Sequence, residues 1–330
     1  LQKYYGGRAA EAHFSYVQPL PLSATTPGAL KVTKLFPLLF LCLMGGFSSF
    51  AQTDSAGAGL RSHQGRVRLL AAGSTTAYSA TLVGLHQLWY KEQARTGFHF
   101  FDDNAEWKQV DKVGHLYTTY HISRLGTQAL HWAGLPPGKA AILGSITGLV
   151  FQTPIEVLDG FSAAYGASWG DVAANTAGAV LYVGQQLWWR EQRIHPRFSF
   201  RPTSLAPLRP NMLGKNLPEQ SLKDYNGQTY WLSFDVKPWL GTQSRFPDWL
   251  NLSLGYGAQN MVYATDAVNR KQGFHSYRQY YLSFDVNFTR IPTRSRLLRS
   301  LFFVLNTIHV PTPALEFNRE RGLVFHPLYF

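Results

Sequence analysis

Cysteine is almost absent from this sequence: among 330 residues there is one, Cys42. That excludes a disulfide framework and any zinc site built on thiolates. Charge is scarce as well, at 15% of residues, where an ordinary soluble domain carries about 25%. Acid is the scarcer sign, with 19 Asp and Glu against 31 Lys and Arg, a net charge of +12. A basic surface suits anionic partners such as lipid headgroups or acidic polysaccharide. The basic residues are scattered and no nucleic-acid-binding motif accompanies them, so nucleic acid is not expected as a partner. No Gly-rich phosphate loop, His-Glu-x-x-His helix or Gly-x-Ser-x-Gly elbow occurs, which removes the commonest nucleotide, zinc-protease and serine-hydrolase readings.

What is present is aromatic and apolar: 15% of residues are Phe, Trp or Tyr. Residues 1–51 read as an upstream extension and signal peptide. Lys31 and Lys34 form a basic n-region, Leu35–Met44 an apolar h-region, and Ser49-Phe50-Ala51 a small-x-small cleavage signal before Gln52. Cys42 lies inside the h-region rather than at the cleavage point, so the sequence predicts export without lipidation at that residue. The h-region is too short to span a bilayer as a mature helix.

Residues 66–192 show helical spacing in four segments. The first runs over 66–90, with no charge between Arg68 and Lys91. The second begins at Ala105 behind an Asn104 cap and reaches Trp132. The third covers Lys139 to Leu158, with a kink at Pro154, and the fourth runs from a Ser168 cap to Trp189. The small residues of Gly144-Ser145-Ile146-Thr147-Gly148 permit close helix approach. Short connections predict an antiparallel four-helix bundle. Lys112, His115, His121 and Arg124 favour a bundle packed on itself and lying against a membrane over one that spans it.

Residues 193–227 are basic and Pro-rich, and read as an arm. From 228 to 330 the period becomes two. Tyr230, Leu232, Phe234 and Val236 alternate with Trp231, Ser233, Asp235 and Lys237, and Tyr280-Tyr281-Leu282-Ser283-Phe284-Asp285-Val286 echoes the same heptapeptide. The two copies are expected in neighbouring or stacked positions in a small antiparallel, aromatic-rich β region, with an amphipathic helix near 294–308. The strands number four or five, below the eight of a closed membrane barrel. The fold class is therefore α+β, an N-terminal helical bundle followed by a β region.

The chemistry gathers between Asp111 and Asn175. Asp111 and His115 are four apart, Glu156 and Asp159 three apart, Asp171 and Asn175 four apart, so each pair shares a helix face. Asp111, His115 and Glu156 are the candidate catalytic residues, as an acid–base set. Asp111, His115, Glu156 and Asp159 are the candidate ligands of a divalent metal, with Lys112, Ser168, Asp171 and Asn175 as a supporting polar network. The competing reading is a satisfied polar network that fixes helix register, in which Ser168 and Asp171 form a helix cap.

Phe98–Phe101, Glu106-Trp107, Asp111-Lys112-x-Gly114-His115, Glu156-x-x-Asp159-Gly160, Ser168-x-Gly170-Asp171-x-x-Ala174-Asn175 and Gln185-Gln186 together resemble the family of predicted periplasmic lipoproteins that includes YfiM. A looser likeness is to VanZ-like proteins. The resemblance covers about residues 66–192 and implies an envelope location and a helical domain; it implies no activity. The function expected is that of an exported envelope protein, in the periplasm or at the outer membrane, which binds membrane lipid or an envelope membrane protein without catalysis. The alternative is a hydrolase or transferase acting on a lipid or cell-wall intermediate through Asp111, His115 and Glu156. A cluster sealed from solvent favours the first reading, and one open to a pocket the second.

Overall fold

The computed structural model describes residues 59–330 apart from 92 and 242; the expected signal segment, Cys42 included, lies outside the described residues. Four long helices come first: α1 (Gly59–Leu85), α2 (Val110–Trp132), α3 (Pro137–Gly160) and α4 (Trp169–Trp188). The last three pack on one another, while α1 touches α2 and α3 only marginally. The mutual packing therefore involves three of the four helices expected in the bundle. Thr127 of α2 lies beside Gly144 of α3, and Ser123 beside Gly148, so these two helices run antiparallel. Lys112, Thr119 and Tyr120 meet Asp171, Asn175 and Tyr182 in turn, so α4 runs parallel to α2.

α2 begins at Val110, five residues later than its Asn104 cap suggests. Trp107, Lys108 and Gln109 have φ of 43°, 52° and 61°, a conformation that side-chain-bearing residues adopt only when held there. Trp107 packs against Val110, Ala258 and Met261, and Lys108 Nζ reaches Asp266 at 2.5 Å. Both contacts come from far along the chain, and they override a good local cap. α3 is a single helix that passes through Pro154.

A six-stranded antiparallel meander follows, in the order β1 (Ile194–Phe200), β2 (Gln228–Asp235), β3 (Leu250–Gln259), β4 (Tyr277–Val286), β5 (Thr312–Asn318) and β6 (Gly322–Tyr329). The strand count exceeds the four or five expected, because β1 lies in the stretch read as an arm. Pro196 sits within β1, which is tolerated because β1 ends the sheet and has one strand partner. Its other side is covered by Thr307–His309: Phe198 N–H donates to Thr307 O at 3.1 Å and His309 N–H to Phe198 O at 2.9 Å. Helix α5 (Leu217–Lys223) also falls within the arm. The amphipathic helix is α6 (Arg296–Leu305), whose first turn is capped by Ser295 Oγ accepting from Leu298 N.

The two Leu-Ser-Phe-Asp-Val copies are not adjacent. β3 stands between them and pairs with both in matching register, Leu232–Leu254–Leu282 and Ser233–Ser253–Ser283. The leucine row continues through Leu315 of β5 to Phe325 of β6. This row faces outward. Leu232, Leu252, Leu254, Tyr280, Leu282, Phe284, Leu315, Phe317, Leu323 and Phe325 are 37% to 70% exposed, while Ser233, Asn251, Ser253 and Asp285 of the opposite face are 0% exposed. The sheet is polar inside and apolar outside.

The polar face is enclosed because the sheet rolls up. Tyr329 Oη of β6 lies 3.0 Å from Thr229 Oγ1 of β2 and 2.8 Å from Tyr281 Oη of β4. On a flat sheet, four strand spacings would separate β2 from β6 by about 19 Å, so strong curvature brings them together. Trp231 fills the middle, stacked on His309 with ring centroids 3.8 Å apart. Around it, Asp285 pairs with Arg197 Nε at 3.2 Å and His309 Nδ1 at 3.1 Å. Asp235 takes His195 Nε2 at 2.9 Å and the amides of Asn251 and Asn287. Burial pushes both carboxyls up, but these hydrogen bonds and charges more than offset it and hold both below the usual range.

Close approach of α2 and α3 rests on Gly144, where an added Cβ would stand 2.7 Å from Thr127 Cα. Gly144→Val should lower stability by roughly 1–3 kcal/mol or more through overpacking, read as a fall in melting temperature. Gly184→Ala, where an added Cβ meets nothing within 4 Å, should leave stability unchanged or raise it by up to about 1 kcal/mol.

Candidate functional site

The polar motifs of α2, α3 and α4 converge with the aromatic loop between α1 and α2. Lys112 Nζ donates to Asp103 at 2.8 Å, to Asp171 at 2.9 Å and to Asp111 at 3.4 Å. Burial works against its charge, but the carboxylates around it more than compensate and raise its pKa. Gly170 makes room for this side chain, since a Cβ there would stand 2.7 Å from Lys112 Cε. Ser168 Oγ donates to Asp103 at 2.5 Å and accepts from Asp171 N at 3.2 Å, so the expected cap is formed and tied to the loop. Ser168 N–H in turn donates to Glu156 Oε2 at 3.1 Å.

His115 stands between α3 and α4. Its Nδ1 lies 3.2 Å from Asn175 Oδ1 and 3.9 Å from Glu156 Oε1, and its Nε2 lies 3.9 Å from Asp171 Oδ1. Asn175 Oδ1 also accepts from Thr119 Oγ1 at 2.9 Å and Gln152 Nε2 at 3.3 Å. Asp159 points to a different partner, accepting from Tyr90 Oη at 2.7 Å. The residues proposed as one acid–base or metal set thus fall into three neighbouring groups. Asp111 belongs with Asp103, Asp171 and Lys112. His115 belongs with Glu156, Asp171 and Asn175. Asp159 belongs with Tyr90. Asp171 is the member the first two groups share.

Asp103, Tyr90, Thr119 and Gln152 were not singled out in the sequence. Asp103 sits in an aromatic loop whose acidity reads as a solvated turn, and the others are common residues whose partners are distant in the chain. The cluster is closed: the side chains of Asp103, Asp111, Lys112, His115, Glu156 and Asp171 are between 8% and 17% exposed. A cavity of about 320 Å³, lined by Glu191, Arg193, Lys237, Asp248 and Arg290 among others, shares no residue with it.

Five carboxyls meet one ammonium and one imidazole here, so they cannot all ionise cheaply. Burial raises Asp159 to about 7 and Asp111 to about 6, and pushes Glu156 up as well. Unfolded, the two aspartates return to their ordinary value of 3.8. Folded, these carboxyls therefore bind more protons than unfolded between about pH 4 and pH 7, and their contribution to stability falls as pH rises through that window, while His121 and His195, whose pKa burial lowers, contribute in the opposite sense. Asp159→Asn, which imitates the protonated group and still accepts from Tyr90, should raise the melting temperature by more at pH 7.5 than at pH 5.5. An unchanged slope in a pH series of melts would remove Asp159 from the account.

No curated protein and no solved structure matches the chain. One family does, over a shorter stretch than the resemblance read from the sequence, and that match gives no support to the VanZ-like likeness. Its description agrees with an exported, periplasmic location. Residues 95–184, which contain α2, α3, most of α4 and all the side chains of the cluster except Tyr90, match the model of the family described as "Predicted periplasmic lipoprotein (DUF2279)".

Proposed function

We propose that this protein is a non-catalytic structural or interaction component of the cell envelope, held on a membrane by the apolar outer face of its sheet. One observation carries this reading: the sheet buries Asp235, Asp285, Asn251, Arg197 and His195 and exposes rows of Leu, Phe and Tyr. Fully burying one such side chain is worth roughly 1.5–3 kcal/mol, so ten in one patch form a surface that water does not favour. Apolar-out, polar-in alternation is the pattern of strands that face lipid. The partner is therefore membrane lipid rather than an aqueous macromolecule, and the outer membrane is the site this pattern fits best.

The helical half adds support. α3 is 24 residues long and apolar enough to cross a membrane by length and composition, and it exposes Ile142, Leu143, Ile146 and Val150. The closed cluster supports a structural role over hydrolysis or group transfer, because its acidic, Lys112 and His115 side chains are at most 17% exposed and the cavity lined by Glu191 and Arg290 shares no residue with it.

Flotation tests this reading. The purified chain should rise with vesicles of phosphatidylcholine and phosphatidylglycerol, and a high-salt wash should not release it, because the attachment is apolar. Leu254→Ser/Leu282→Ser/Phe284→Ser should remain at the bottom of the gradient with an unchanged circular dichroism spectrum, since all three side chains point outward. A wild-type chain that stays monomeric and soluble without detergent, and fails to float, refutes the proposal.

A further inference from the structure

One ligand atom from each of His115, Glu156 and Asp171 lies within 4.8 Å of the other two. The three residues come from α2, α3 and α4 respectively, and a neighbour orients each. Asn175 Oδ1 collects donors from Thr119 and Gln152 and lies against His115 Nδ1. In the neutral ring this network assigns the proton to Nδ1 and leaves the Nε2 lone pair free. That lone pair faces Asp171 Oδ1 across 3.9 Å, and the same oxygen accepts from Lys112 Nζ at 2.9 Å. Ser168 N–H fixes Glu156 Oε2, which leaves Glu156 Oε1 buried without a hydrogen-bond partner on a side chain only 9% exposed.

A buried carboxylate oxygen with no donor costs about 1–3 kcal/mol or more, and a lone pair facing a carboxylate adds repulsion. One cation would relieve both. The neighbouring group of Asp103, Asp111 and Asp171 already has its cation in the Lys112 ammonium; Glu156 has none at hydrogen-bond distance.

We propose that His115, Glu156 and Asp171 form a binding site for a single divalent transition-metal ion, which ties α2, α3 and α4 together. One imidazole with two carboxylates suits an ion such as Zn²⁺ or Mn²⁺ better than Ca²⁺, which takes six to eight oxygen ligands. Ligands at about 2.1 Å from a tetrahedral ion stand about 3.4 Å apart, so the three ligand atoms, now within 4.8 Å of one another, draw closer on binding. The contacts from Asn175 and Ser168 are the outer-shell support that holds ligands in place. Neither Asp111 nor Asp159 takes part: the first gathers with Asp103 and Asp171 rather than with His115 and Glu156, and the second accepts from Tyr90. The site does not depend on where the sheet docks.

The test uses the purified chain, stripped with a chelator and titrated with Zn²⁺ and, separately, Mn²⁺. Calorimetry should find one strong equivalent for at least one of the two ions, and that ion should raise the melting temperature by several degrees. Glu156→Gln and His115→Gln should each weaken binding at least tenfold, while His131→Gln, which alters an exposed histidine, should bind as the wild type does. No strong equivalent and no rise in the wild-type melting temperature with either ion overturns the site. Equal binding by a folded Glu156→Gln also overturns it. Should that variant fail to fold, His115→Gln and the wild-type melt decide in the same way.

Discussion

Lys112 is the point from which the helical half is held. An ammonium taken out of water must find its counter-charges inside, and this one finds them on a loop, on its own helix and on α4. The loop's Asp103 then accepts from Ser168, whose backbone N–H holds Glu156 of α3. One positive charge thus begins a chain of contacts that joins three helices and the loop beside them. Such a device gives little net stability, because desolvation consumes most of the attraction. It does select one arrangement of the helices, since no other places a carboxylate on every side of the ammonium.

The sheet follows the same logic on a larger scale. Arg197, 0% exposed, is matched by Asp285, Val286 O and Asn306, and His195 and Asp235 are matched in turn. With the interior given over to charge and hydrogen bonds, and Trp231 at its centre, the leucines and phenylalanines can only be outside. A chain with few charges therefore places several of them where water is absent, and its surface becomes apolar as a result. The same inversion is milder in the helices, where Thr119, His121, Ser123 and Arg124 are buried on α2 while α3 exposes a row of aliphatic residues.

Element types and the helix-face pairings were legible in the sequence, because period and capping are local signals. The period-two alternation identified the strands and put Leu232, Phe234, Leu282 and Phe284 on one face, but alternation has no sign. Nothing local says whether the leucine face or the Ser-Asp face is inside, and that is decided by Arg197 of β1 and by His309 from the segment before β5. β1 was hidden behind Pro196 and the prolines that follow it. The late start of α2 was hidden because Trp107 and Lys108 answer to Met261 and Asp266. In the cluster, the facing pairs were readable from spacing. The division of the acids among Lys112, His115 and Tyr90 was not, because it depends on which helices run parallel.

The matched rows across β2, β3 and β4 have a consequence for assembly. Alternation has a period of two, so a strand that slipped by one residue would turn Asp235 or Asp285 outward and Leu or Phe inward. No arrangement with the slip in place satisfies either side, since the displaced carboxylate loses its arginine or histidine and the interior receives a group that can bond nothing. The repeated heptapeptide invites mispairing, having two equivalent copies to choose from, and the buried charge makes every odd-numbered error costly. Proofreading of strand alignment is thus written into the same residues that make the interior polar.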